Sequence, residues 1–135
     1  MSGAGVLNVR EFNAVTDLGR LCELWGNLCM IQQMRGNNYW MDKFKQTNLS
    51  WADFMVSMSE LSISETIVFT YDETVCGFIF LFKEDALATV KEFYLEPGYK
   101  DKVSNTELSS RIKDILNAKD IEFIDLQMFQ ENINK

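Results

Sequence analysis

Residues 87–116 run LATVKEFYLEPGYKDKVSNTELSSRIKDIL, and four successive signals lie in them. Leu87 to Leu95 is rich in apolar, aromatic and β-branched side chains and predicts a strand. Pro97-Gly98, which holds the only proline of the chain, predicts a turn. Lys100, Asp101, Lys102 and Val103 then form a charged loop. Ser104 followed by Glu107 is the S-x-x-E capping box that starts a helix, and Leu108, Ile112, Ile115 and Leu116 supply its apolar stripe. A strand feeding a loop whose amides open a helix is an arrangement that can hold a phosphate. This loop, however, has no glycine between Gly98 and the helix to let a diphosphate lie against its backbone.

Upstream, Val6 to Phe12 alternates apolar with polar residues and predicts a first strand. Thr16 offers an N-cap, with Asp17 in the first turn. Leu18, Leu21, Cys22, Trp25, Leu28 and Cys29 recur at helical spacing, so a helix is expected to about Gln33 and to end at Gly36, Asn37 and Asn38. Residues 37–48 mix aromatics with lysines and suit either a loop or a short helix. Ser50 begins a second helix, SWADFMVSMSEL, whose stripe is Trp51, Phe54, Met55, Met58 and Leu61. Thr66 to Tyr71 and Val75 to Phe82 are apolar at nearly every position, as expected of strands covered on both faces, with Asp72, Glu73 and Thr74 as a hairpin turn. Downstream, Ile121 to Phe129 predicts a closing strand. The order β-α-α-β-β-β-α-β implies an α+β fold: one mixed sheet with helices on both faces. No linker, repeat or low-complexity segment divides the chain, so residues 1–135 are expected to form a single domain.

Composition narrows the function classes. Hydrophobic residues at 47% and aromatics at 13% specify an ordered core rather than a disordered chain. A net charge of −7 argues against a nucleic-acid partner, and no apolar run reaches the length of a membrane span. With no histidine, neither a Ser-His or Cys-His nucleophile pair nor a His-bearing zinc site is available, and no carboxylate spacing suggests another metal. Cys22 and Cys29, seven apart, are expected to share the buried face of the first helix. Three cysteines without secretory features predict a cytoplasmic, reducing location. The cluster Trp40, Lys43, Phe44 and Lys45 is a distant candidate for base stacking.

With these residues in this order, the chain resembles the GNAT N-acetyltransferases. That family's signature is a strand, then Pro-x-Tyr-Arg-Gly-x-Gly-x-Gly opening a helix, then a second strand and an Asn shortly beyond it. Here Phe93, Tyr94 and Leu95 match the strand end, Pro97 and Tyr99 the turn, and Lys100 the arginine. Leu108, Ile112 and Ile115 match the helix, Ile124, Leu126 and Met128 the next strand, and Asn132 the Asn. Asp101, Val103 and Asn105 stand where the family has its glycines, and the family's proton-donating tyrosine has no counterpart before Lys135.

The resemblance implies a site for acetyl-CoA formed by Phe93, Tyr94, Leu95, Lys100, Lys102, Val103, Ser104, Asn105 and Asn132. It also implies that the strand from Leu87 splays from the one after Ile121 to admit the pantetheine arm. Glu92 is the candidate general base, beside the plainer reading of a solvated or ion-paired strand residue. Glu96 is a lesser candidate, and Tyr94 and Tyr99 read as packing residues. In the loop, Val103 and Asn105 are expected to crowd a diphosphate, Ser104 to occupy the Glu107 amide, and Asp101 and Glu107 to offset Lys100 and Lys102. Coenzyme binding is therefore expected to be weak. Two functions follow: acyl transfer from acetyl-CoA to an amine, or a non-catalytic module of the same fold. The module would act through a protein partner or as a homodimer, paired along the edge of the last strand or the methionine-rich helix.

Overall fold

The computed structural model describes residues 5–42, 53, 57 and 64–123. Most of the expected second helix, the closing strand beyond Phe123 and Asn132 lie outside the described residues. Strands β1 (Leu7–Glu11), β2 (Ser64–Tyr71), β3 (Thr74–Glu84), β4 (Leu87–Leu95) and β5 (Glu122–Phe123) form one sheet in sequential order. The first four pair antiparallel, and β5 runs parallel to β4 with Leu87 opposite Glu122. Helix α1 (Leu18–Met34) follows β1, and helix α2 (Asn105–Asn117) links β4 to β5. The sheet is mixed and carries a helix on each face, as the residue pattern implies.

Alternation along the strands builds two cores. Val68, Phe78, Phe80 and Tyr94 face α1 and meet Leu21, Leu24, Trp25, Leu28 and Cys29. Ile67, Phe69, Ile79, Leu81, Phe93 and Leu95 face the other way and meet Leu108, Ile112 and Leu116 of α2. β2 and β3 are apolar at successive positions because each of their faces is covered. Trp25 anchors the first core: its ring stacks on Phe78 at 5.1 Å and meets Trp40 edge-on at 5.0 Å.

Turn chemistry follows the sequence closely. Asp72 and Glu73 both take positive φ, 51° and 69°, the two-residue hairpin geometry that matches strand twist. Ser104 is the N-cap of α2, its hydroxyl accepting from the Glu107 amide at 3.3 Å. Two expectations are corrected at α1. Its N-cap is Asp17, not Thr16, and the Asp17 carboxylate turns instead to the Arg10 guanidinium, at 2.7 and 2.8 Å, and to the Asn13 amide. Cys22 is half-exposed, because the buried stripe runs through Leu21, Leu24, Trp25, Leu28 and Cys29 and passes beside it.

Two irregularities place the site. The β3–β4 register shifts so that Phe80 faces Glu92 and Leu81 faces Val90, leaving Lys91 as the extra residue of a bulge. A bulge bends the strand and re-aims its side chains. Beyond it, Gly77 lets β3 and β4 close: an added Cβ would lie 2.4 Å from the Tyr94 carbonyl oxygen and 2.9 Å from the Phe69 ring.

Candidate active site

The bulge at Lys91 sets Glu92 on the α1 face of β4. From α1, Gln32 Nε2 donates to one carboxylate oxygen at 3.0 Å. The chain then leaves the helix at Gly36, whose φ of 84° is left-handed and suits glycine. It resumes as a helical turn over residues 39–42, settling the short-helix alternative for that part of residues 37–48. This turn buries Trp40, and its indole N–H donates to the other Glu92 oxygen at 3.0 Å. Among the described residues no cation lies within ion-pair distance of Glu92. Burial raises its pKa above the usual 4.5, against lowering by the Trp40 and Gln32 donors and by the Lys91 charge. Glu92 is thus half-buried, and among the described residues its carboxylate is held by two neutral donors rather than by a cation.

Glu96 differs. It pairs with Arg20, which also donates to the Val75 carbonyl and to Glu23. The cysteines are poor nucleophiles: burial pushes the Cys29 thiol up to about 12, with Glu92 adding to it, and Cys76 up to about 11, with Glu96 adding to it. Tyr94 packs its ring on Phe78, and burial together with the Glu96 charge raises its pKa despite a hydrogen bond with Asn27. Tyr99 packs edge-on against Tyr71 at 5.7 Å.

Two cavities open near Glu92. One, of about 280 Å³, has apolar walls from Leu28, Ile31, Phe93 and Leu95 and is also lined by Gln32, Asn37, Arg35 and Lys100. The other, of about 600 Å³, is lined by Asn37, Tyr39, Phe82, Lys91 and Glu92. Asn37 belongs to both, and the Gln32–Glu92 hydrogen bond bridges their walls. The described sequence-predicted residues divide accordingly. Phe93, Tyr94, Leu95 and Lys100 converge on the smaller cavity, and Glu92 lines the larger; Lys102, Val103 and Ser104 line neither.

The loop also departs from its expected behaviour. Val103 does not crowd an approaching ligand with its side chain, which is buried in the core with Leu108 and Ile112. The Lys102 ammonium lies over the rings of Tyr71 and Tyr99, 5.8 and 5.5 Å from their centres. Glu107 does not oppose an anion with a bare charge, since Arg111 pairs with it at 2.8 Å. The loop amides are partly spent: Lys100 donates to the Pro97 carbonyl, Lys102 to the Tyr99 carbonyl at 3.0 Å, and Glu107 to Ser104. Asn105 is the first residue of α2.

Sequence reasoning missed Gln32, Arg35, Asn37 and the role of Trp40. The partners of Glu92 are 52 and 60 residues away in the chain, a separation no local pattern reveals.

The fold matches solved structures. A possible acetyltransferase from Clostridium difficile 630 aligns over 96% of this chain and 90% of its own, at 17% identity and TM-score 0.63. PaiA N-acetyltransferase from Thermoplasma acidophilum, in complex with coenzyme A, aligns over 86% and 75%, at 21% identity and TM-score 0.60. A GNAT-family acetyltransferase from Staphylococcus aureus Mu50 aligns over 87% and 70%, at 13% identity and TM-score 0.61. No family model and no curated protein sequence matches the chain. The protein has the GNAT acetyltransferase fold.

Proposed function

We propose that the protein transfers an acyl group, acetyl in the simplest case, from a coenzyme A thioester to an amine. The observation that carries this reading is a pair of cavities that share Asn37 and are bridged by the Gln32–Glu92 hydrogen bond, one suited to each substrate. The smaller has the chemistry of a donor channel. Its apolar walls suit an uncharged arm, and Arg35 and Lys100 suit phosphate groups. Among the described residues neither of these cations is engaged in an ion pair. They supply charge that the partly spent amides of the loop do not.

Bound acetyl-CoA would supply the activated acyl group; the chain supplies position and a base. Glu92, poised by burial, would accept a proton from the acceptor's ammonium group, and the free amine so formed would be the nucleophile toward the thioester carbonyl, with coenzyme A leaving through its sulfur. Trp40 and Gln32 hold the carboxylate in place while it does so. No covalent acyl-enzyme is needed, in keeping with the raised pKa of Cys29 and Cys76.

Calorimetric titration with acetyl-CoA tests this. Saturable binding that weakens with salt is expected, and the double variant Arg35→Ala, Lys100→Ala should lose about tenfold or more in affinity. Absence of binding at millimolar acetyl-CoA would overturn the transferase reading and favour the non-catalytic module acting through a protein partner.

A further inference from the structure

The larger cavity holds, beside Glu92, a second feature: a cation seated between two aromatic rings. Tyr39 and Phe82 are both exposed residues, at 50% and 40%. Between them sits the Lys91 ammonium, 5.4 Å from the Tyr39 ring centre and 5.6 Å from that of Phe82. Both distances fall within the range of cation–π attraction. Among the described residues no carboxylate lies within ion-pair distance of Lys91. The faces of two aromatic rings therefore seat this cation, on a wall that also carries Glu92.

A strand bulge delivered Lys91 to this position. As the extra residue of β4, Lys91 has no partner opposite it on β3, so its stem can follow the cavity wall. Tyr39 is fixed in turn by Trp40, whose ring it meets edge-on at 4.9 Å. Trp40 is itself tied to Glu92. The ring that seats the cation and the carboxylate beside it thus share one support, Trp40.

We infer that the space between Tyr39 and Phe82 is the seat of the acceptor's ammonium group, and that Lys91 is a resident stand-in which the acceptor displaces. The occupant marks the ligand chemistry: a primary alkylammonium on a flexible chain, as on a lysine side chain or an aliphatic diamine. This rests on the transferase reading for its role in the reaction but not for binding. Displacing Lys91 costs part of the acceptor's affinity, so the native chain favours acceptors that make contacts beyond the ammonium.

The test is titration without any acyl donor, using 1,5-diaminopentane, Nα-acetyl-lysine methylamide and neutral 1-pentanol as probes. Lys91→Gln keeps most of the stem and removes the charge. It should bind the two ammonium probes about fivefold or more tightly than the wild type, with no gain for 1-pentanol. Adding Tyr39→Leu should cancel that gain, and Phe82→Leu serves as the second ring variant should Tyr39→Leu melt early. A stronger gain for the diamine assigns the seat to free amines; a stronger gain for the lysine derivative assigns it to peptide side chains. An equal gain for 1-pentanol, no gain for any probe, or indifference to both ring variants overturns the inference. A protein that binds amines in this way but not acetyl-CoA would lose the transferase reading and keep the seat. One that acetylates amines without ring dependence would lose only the seat.

Discussion

The loop from Lys100 to Ser104 and the wall around Glu92 are near in space, since Lys100 and Gln32, the partner of Glu92, line one cavity, yet they resolve their polar groups in contrary ways. The loop turns inward: Val103 joins the core, Lys102 covers two tyrosines, and Ser104 closes on the Glu107 amide. The Glu92 wall does the reverse. It holds a half-buried carboxylate on two neutral donors, with one cavity against the carboxylate and another against its partner Gln32. Internal satisfaction stabilises a fold and leaves little for a ligand. A carboxylate partly withdrawn from water without a paired counter-charge costs stability and gains basicity, the pattern of a functional group.

The sharpest way to break this contrast is Glu92→Gln. If Glu92 is the base, turnover should fall by about 10²–10⁴-fold with little change in acetyl-CoA affinity. The same variant reports on stability. Because the folded pKa of Glu92 is raised, its favourable contribution is full below 4.5 and is lost as pH rises through the folded value. Glutamine lacks this dependence. Melting temperatures measured from about pH 4 to about pH 7 should therefore shift toward the variant as pH rises; a constant difference would contradict the burial argument.

Val103→Gly comes next. A loop crowded by this side chain would bind coenzyme better after the change. The structure predicts instead a loss of roughly 2–3 kcal/mol in urea unfolding, since a buried valine is removed and the backbone is loosened. Improved coenzyme affinity with unchanged stability would restore the crowding account. The smallest effect belongs to Ser104→Ala. It should cost about 1 kcal/mol through the lost cap. It also frees the Glu107 amide, so coenzyme affinity should hold steady or rise, and a marked drop would make Ser104 a direct ligand.

Much of the architecture was legible because its signals are local. The Ser104–Glu107 spacing marks a helix start, Asp72, Glu73 and Thr74 mark a hairpin turn, of which Thr74 proves to open β3, and unbroken apolar runs mark strands covered twice. Glu92 was legible as a candidate through its place on β4. Its two donors were not, and neither was Arg35, since these residues meet β4 only after α1 packs across the sheet. Cys22 and Val103 show the same limit from the other direction. Spacing placed Cys22 in the core and loop position placed Val103 outside it, and packing reversed both.

Periodicity, capping residues and turn residues thus carried the element order and the two-faced sheet, because each acts over a few neighbouring positions. Which polar groups end up dry, which cations remain unpaired and where cavities open depends on contacts between distant segments. Those contacts arise from the competition of whole surfaces for burial, and they exist only once the sheet and its helices have closed on one another.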